Sequence, residues 1–291
     1  MLRLLRSYRR YLWFAIPLGI VLLLTVREAF DPFLILYIRN VVSPGPDPLE
    51  LVLNDRIALR LYNDTRPHIG KIAALQKGLV LVVDGQALIE EGYGFGLPLV
   101  SDGELVHNSR HAEIMAVDAQ TLVKRYSMDV ADRWSQFLRV KYLDVPSLGT
   151  VVVTYTVETS TTLRIDVDFS EMHVDWQAAY LMNEQGAVAF PIYEDSAGVQ
   201  RHGDDIGIWH ADDDPFGCWI TEIHSLADEA VTTGVRFCVE TEPGRLRYVG
   251  RERYNQYNWV RIYMLSWSGI DIEIDTPIER YSYTIHIETL D

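Results

Sequence analysis

The sequence is poor in cysteine, with two in 291 residues. That count excludes a disulfide-dense scaffold and a cysteine-built metal cluster. The short signatures of several common chemistries are missing as well: there is no G-x-S-x-G, no H-E-x-x-H, no P-loop and no C-x-x-C. No internal repeat and no low-complexity tract interrupts the chain. Basic charge is scarce outside the first ten residues, which carry Arg3, Arg6, Arg9 and Arg10 and no acid. The remainder holds 22 basic residues against 41 acidic ones, within a formal net charge of −15. A body this acidic repels a phosphate backbone, which excludes nucleic acid as a partner class. What is present is the ordinary apolar content of a folded protein, 48%.

The long apolar run is near the start. "MLRLLRSYRRYLWFAIPLGIVLLLTVREAFD" reads as a basic head, an uncharged stretch and a charged stop. Tyr11 to Val26 is 16 residues without a charge. As a helix it spans roughly 24 Å, against a hydrocarbon core of about 30 Å. Arg9, Arg10 and Arg27 can snorkel outward to make up the difference. Tyr11 and Trp13 sit where interfacial aromatics belong. No small-x-small cleavage site follows the run, so an uncleaved signal-anchor is preferred over a signal peptide, and the arginines before it weigh against a core helix. Arginines on the near flank predict a cytoplasmic N-terminus, a single pass through the cell membrane at residues 11–26 and an extracytoplasmic body. "VVSPGPDP", residues 41–48, is the natural linker, because its prolines and glycine stop helix and sheet alike. The expected division is therefore 1–30 head and anchor, 31–48 linker and 49–291 body.

The body alternates like strands. "LELVLNDRIALRLYND" has apolar residues at a spacing near two, and "LVLVVDGQALIEE" places Asp84-Gly85 between two apolar runs, a strong hairpin signal. "TVVVTYTVETSTTLRIDVDF" predicts a hairpin around Thr159 to Thr162. "VRFCVE", "RLRYVG", "GIDIEID" and "RYSYTIHIETL" are further strands, the last with Tyr281, Tyr283, Ile285 and Ile287 on one face. Ala112 to Tyr126 fits one helix or two strands. Many short strands without strand–helix alternation predict a mainly β fold: a large antiparallel β-sandwich preceded by one N-terminal transmembrane helix.

Three stretches could carry chemistry. In "EEGYGFGLPLVSDGELVHNSRHAE", Gly92, Gly94 and Gly96 alternate with Tyr93 and Phe95, so one strand face has no side chains. A two-residue turn at Asp102-Gly103 would pair Pro98 with His107, Gly96 with Ser109 and Gly94 with His111. Gly92, Gly94, Gly96 and Ser109 would then form a trough able to receive a flat ligand such as a sugar ring. Glu91, Tyr93, His107 and His111 are the acid–base candidates beside it. The competing reading is that the glycines permit close packing and the histidines are hydrogen-bonded. Pro98 marks this strand as an edge.

The second stretch is "RHGDDIGIWHADDDPFGCW". Asp204, Asp205, Asp212, Asp213 and Asp214 could supply oxygens to Ca²⁺, which takes six to eight of them. The EF-hand spacing is absent, His202 and His210 have no third zinc ligand at an obvious spacing, and a turn-rich surface loop has the same composition. No other cofactor is implied. Trp209 and Trp219 flank the loop and read as core. The third feature is Cys218 and Cys238, in strands that would pair around "SLADEA". An even count in an extracytoplasmic domain permits a disulfide, and two buried thiols are the alternative. "RERYNQYNWVRIY" interleaves aromatics with arginines and suits a half-buried strand or a glycan contact.

"GTVVVTYTVETSTTLRIDVDFSEMHVDW" followed by "YLMNEQGAVAFPIYEDSAG" resembles the long antiparallel strands of mutarotase-like and polysaccharide-lyase-like proteins. The resemblance implies a large β-sandwich and contact with sugars; it carries over no residue role. The reading reached from sequence is a membrane-anchored β-sandwich module contacting glycans or the cell envelope. The alternative is a membrane-tethered carbohydrate-active enzyme of lyase, hydrolase or epimerase type.

Overall fold

Period-two alternation becomes strand wherever one side of the chain has a core to face. The computed structural model describes residues 48–61, 78–87, 94–109, 112–131, 143–186, 192–202, 208–210, 213–224, 232–249 and 267–290. In chain order the strands are β1 (Leu49–Val52), β2 (Ile57–Leu61), β3 (Val80–Val83), β4 (Gln86–Ala87), β5 (Gly94–Ser101), β6 (Val106–Asn108), β7 (Ala112–Ala116), β8 (Thr121–Ser127), β9 (Val130–Ala131) and β10 (Leu143–Asp144). They continue with β11 (Thr150–Thr159), β12 (Thr162–Asp168), β13 (Ala178–Gly186), β14 (Ile192–Asp195), β15 (Gln200–His202), β16 (Ile208–His210), β17 (Phe216–His224), β18 (Thr232–Glu240), β19 (Leu246–Val249), β20 (Trp267–Ile274) and β21 (Arg280–Leu290). No helix is found among the described residues. The fold is mainly β, and all strand pairings are antiparallel.

Three sheets result. A small one runs β1-β2-β3-β4, an eight-stranded one β10-β9-β6-β5-β13-β20-β19-β16, and a nine-stranded one β15-β14-β17-β18-β21-β12-β11-β8-β7. The two large sheets meet through their apolar faces. Phe95 packs edge-on to Phe237 at 5.0 Å and Tyr193 edge-on to Tyr248 at 5.6 Å between the sheets, while within the nine-stranded sheet Trp219 stacks on its cross-strand neighbour Phe237 at 4.8 Å. Trp219 Nε1 also donates to Ser268 Oγ across the gap at 2.9 Å, so Trp219 is core as its flanks suggest. Tyr281, Tyr283, Ile285 and Ile287 share the buried face of β21. The Ala112–Tyr126 ambiguity resolves as two paired strands, β7 and β8.

The turns follow their residues. Asp84 and Gly85 both take positive φ, 49° and 77°, and close β3 onto β4 with Val83 opposite Gln86. That is the two-residue turn whose twist matches the strands. Ser160 and Thr161 close β11 onto β12, with Thr159 opposite Thr162. The turn after β5 departs from expectation. Ser101 pairs with Val106 and Val100 with His107, so the loop has four residues rather than two. The cause is Asp102: its Oδ1 accepts the N–H groups of Glu104 at 2.9 Å and Leu105 at 2.7 Å and holds a wider turn. Strand β5 is not a simple edge either. It lies between β6 and β13, and only Val100 and Ser101 are paired on the β6 side, which leaves Pro98 with a single neighbour, Leu181 of β13.

A buried polar seam crosses the sandwich. The β5–β13 register shifts between Met182 and Asn183, leaving Gly96 as an extra residue with φ 72°. Its freed groups find partners. Gly96 N donates to Asn183 Oδ1 at 3.1 Å, and Gly96 O accepts from Tyr155 Oη at 3.2 Å. Tyr283 Oη donates to the same Asn183 oxygen at 2.8 Å, and the Tyr126 and Tyr155 hydroxyls are 3.1 Å apart. Asn183 N in turn donates to Asp271 Oδ1 at 3.0 Å. Burial pushes the phenols of Tyr126, Tyr155 and Tyr283 well up, so they act as neutral hydroxyls. Lys124, fully buried, lies 5.0 Å over the Tyr126 ring.

Candidate functional site

The glycine trough is filled by protein. A Cβ on Gly94 would stand 2.6 Å from Leu79 O, and one on Gly96 would stand 2.8 Å from Tyr155 Cε1. These two glycines serve close packing, and a sugar ring has no room over them. Ser109 is fully buried, and its N–H donates to Asn108 Oδ1 at 2.6 Å; with β6 ending at Asn108, it does not face Gly96. Glu91, Gly92, Tyr93 and His111 lie outside the described residues.

His107 is the trough candidate with a defined environment. It is 2% exposed, stands opposite Val100 and Ala131, and its Nε2 is 2.8 Å from Asp102 Oδ2. Nδ1 is buried and makes no hydrogen bond to any described residue. Burial works against ionisation of Asp102, but the N–H groups of Leu105 and Glu104 and the His107 ring outweigh it and hold the carboxyl below its ordinary range. The sign follows. A carboxyl whose folded value lies below its unfolded value adds stability that is complete above about pH 4 and is lost as pH falls through the folded value. Asp195 beside Arg201 and Asp168 beside Ser170 and Arg280 are lowered too and add to the same acid limb. Thermal melts between pH 6 and pH 2 are expected to show a falling midpoint below about pH 4, with a smaller fall in Asp102→Asn. An identical fall in that variant would remove Asp102 from the account.

The richer surface is the outer face of the eight-stranded sheet. Ala179, Leu181, Ile272 and Ile274 turn inward, so alternation turns Tyr180 and Glu273 outward. Tyr180 is directly opposite Glu273 on one side and Leu99 on the other. Arg247 of β19 reaches over the Tyr180 ring at 5.4 Å. All four side chains are half-buried. Burial and then the Glu273 carboxylate, which takes the hydroxyl's hydrogen bond, push the Tyr180 phenol up against the opposing pull of Arg247. Further along, Asp271 and Glu184 are buried carboxylates on neighbouring strands. A half-buried tyrosine with a guanidinium over its ring and a carboxylate opposite it places apolar surface, donors and acceptors within one patch.

Sequence reasoning misses these residues as a site, yet the signal is present. In "GIDIEID" the acids fall at Asp271 and Glu273, between Ile270, Ile272 and Ile274. In "RLRYV" Arg247 alternates with Leu246 and Tyr248 in the same way.

The remaining candidates separate. Asp214 is committed to local turns, accepting from Phe216 N at 3.1 Å and Ser196 N at 3.0 Å. Asp213 is exposed, while Asp204, Asp205 and Asp212 lie outside the described residues. No group of metal-ligating side chains occurs among the described residues. Cys218 and Cys238 stand directly opposite one another in β17 and β18 and form a disulfide, with Cα atoms 4.0 Å apart. An open depression of about 540 Å³ at the β7–β8 edge is lined by Ala112, Glu113, Ile114, Met115, Val123 and Arg125. The segment "RERYNQYNWVRIY" and the run Tyr11 to Val26 lie outside the described residues. Among the described residues no helix is long and apolar enough to cross a membrane.

No family model and no curated protein matches the sequence. Among solved structures, a GalM/aldose epimerase homologue from C. elegans is similar at 8% identity and a TM-score of 0.34, over 84% of this chain and 99% of that one. A TPR-domain containing protein from Parabacteroides distasonis ATCC 8503 is similar at 10% identity and a TM-score of 0.36, over 82% of this chain and 47% of that one.

Proposed function

We propose that this chain is a single-pass, membrane-anchored protein whose β-sandwich lies outside the cytoplasm and contacts glycans. The observation that carries the glycan reading is the Tyr180–Arg247–Glu273 patch on the outer face of the eight-stranded sheet. A sugar ring presents an apolar face to an aromatic and hydroxyls to charged groups, and this patch holds both kinds of partner. The location is supported by the Arg-flanked apolar run at residues 11–26, which takes the lipid bilayer as its partner. It is supported too by the Cys218–Cys238 disulfide, a bond that persists in oxidising compartments. In the acidic stretch, a Ca²⁺ site would draw on Asp204, Asp205, Asp212 and Asp213, since Asp214 is already engaged.

The test is a glycan array probed with the intact protein and with Tyr180→Ala. The intact protein is expected to retain a defined set of glycans, and the variant to bind them about tenfold more weakly. Equal binding by both would move the site elsewhere, and no binding by either would end the glycan reading.

A second reading, a tethered carbohydrate-active enzyme, is favoured by His107. Asp102 Oδ2 lies 2.8 Å from Nε2 and orients the imidazole, the pairing of a carboxylate with a histidine that acid–base chemistry uses. In that reading His107→Gln abolishes turnover of a polysaccharide that the intact protein degrades or epimerises.

A further inference from the structure

Cys218 and Cys238 lie on the outer face of the nine-stranded sheet, because Trp219, Phe237 and Val239 beside them fill the core. Across the strands one row reads Glu194, Cys218, Cys238, His286 and Thr162. The next row sets Arg236 between Ile220 and Glu288. Arg236 leans back over the disulfide. Its Nη2 donates to Glu194 Oε1 at 3.1 Å and lies 3.3 Å from Cys218 Sγ, while Nη1 donates to Glu288 Oε1 at 3.4 Å.

The two cysteines are therefore chemically unequal. Cys218 has no exposed surface and sits under a guanidinium, whereas Cys238 keeps 6% of its surface open. In thiol–disulfide exchange the accessible sulfur is attacked, and the sulfur best stabilised as a thiolate leaves. The guanidinium beside Cys218 Sγ and the greater exposure of Cys238 as a residue select the same direction here. Strand pairing does not depend on the bond, since β17 and β18 are in register at nine positions, from Phe216 opposite Glu240 to His224 opposite Thr232.

We propose that Cys218–Cys238 is an exchangeable disulfide, opened at Cys238 by a dithiol carrier, with Cys218 leaving as a thiolate beneath Arg236. The carrier's thiolate attacks Cys238 Sγ and forms a mixed disulfide. The sulfur–sulfur bond breaks, and its electron pair goes to Cys218 Sγ. The carrier's second thiol, after losing its proton, attacks the carrier sulfur of the mixed disulfide and releases Cys238. The two protons shed by the carrier end on the two cysteines. The protein disulfide has gained two electrons, and the carrier has become a disulfide. This goes beyond the glycan reading and does not depend on it.

Reduced glutathione reads the direction, because an early acid quench traps its mixed disulfide before a second glutathione or the freed protein thiolate resolves it. The native full-length protein is incubated with it, quenched in acid, alkylated with N-ethylmaleimide and mapped by peptide mass. Glutathione is expected on Cys238 and the alkyl group on Cys218, in about tenfold excess over the reverse. Arg236→Lys should keep that bias and Arg236→Gln should shrink it. After full reduction with dithiothreitol the far-ultraviolet strand spectrum should persist. Adduct on Cys218, an even split, or no adduct until denaturant is added would overturn the proposal. So would an unchanged bias in Arg236→Gln, or loss of the strand spectrum on reduction.

Discussion

Gly96→Ala is expected to cost about 3–5 kcal/mol of stability, from left-handed strain and overpacking together. For a body of this size that corresponds to roughly 10 °C in melting temperature. Two effects add. The residue holds φ at 72°, where a side chain is strained, and the new Cβ would stand 2.8 Å from Tyr155 Cε1 and 3.3 Å from Ile165 Cγ2. The Tyr155 ring cannot yield freely, because its hydroxyl is tied to Gly96 O and to Tyr126. Gly198→Ala separates the two effects. Gly198 has nearly the same φ, 75°, and a Cβ added there would meet nothing within 4 Å. It should lose only the conformational part, about 1 kcal/mol. Urea unfolding of both variants checks this; equal losses would mean that the crowding at Gly96 is relieved by movement.

Asn183→Leu is expected to be nearly as severe, at about 3–5 kcal/mol. Asn183 is fully buried, and its Oδ1 receives both Gly96 N–H and Tyr283 O–H. Leucine has a similar volume but accepts nothing, so two donors are left buried and unpaired, each costing about 1–3 kcal/mol. Tyr155→Phe provides the comparison. It removes a donor from Gly96 O and the 3.1 Å hydrogen bond with the Tyr126 hydroxyl, so about 1–2 kcal/mol is expected, less than for two backbone and side-chain donors that lose one acceptor. If Tyr155→Phe proves as costly as Asn183→Leu in denaturant titration, the seam is not organised around Asn183.

The architecture was legible because burial and alternation are the same fact seen twice. Asp84-Gly85, the Thr159–Thr162 turn, and the Tyr281, Tyr283, Ile285 and Ile287 stripe all followed from period and turn chemistry. The β5–β6 register did not follow, because Asp102 accepts two backbone N–H groups and lengthens the turn; no local pattern announces that choice over the tight Asp-Gly turn. The bulge at Gly96 was hidden for a related reason. Its partner, Asn183, is 87 residues away, so the glycines read as an empty face when they are a packed one. Tyr180 and Glu273 were visible as the polar half of apolar strands, but only pairing β13 with β20 brings them face to face.

Strand β21 has a consequence for how the molecule is made. It lies between β18 and β12, at the middle of the nine-stranded sheet. A ribosome delivers β15, β14, β17 and β18 on one side and β12, β11, β8 and β7 on the other well before the eleven residues that join them. Until those residues emerge, two half-sheets each present an unpaired border to whatever is near. A chaperone that shields such borders, or a refolding protocol dilute enough to keep chains apart, should therefore raise the yield of this protein more than any change to its surface.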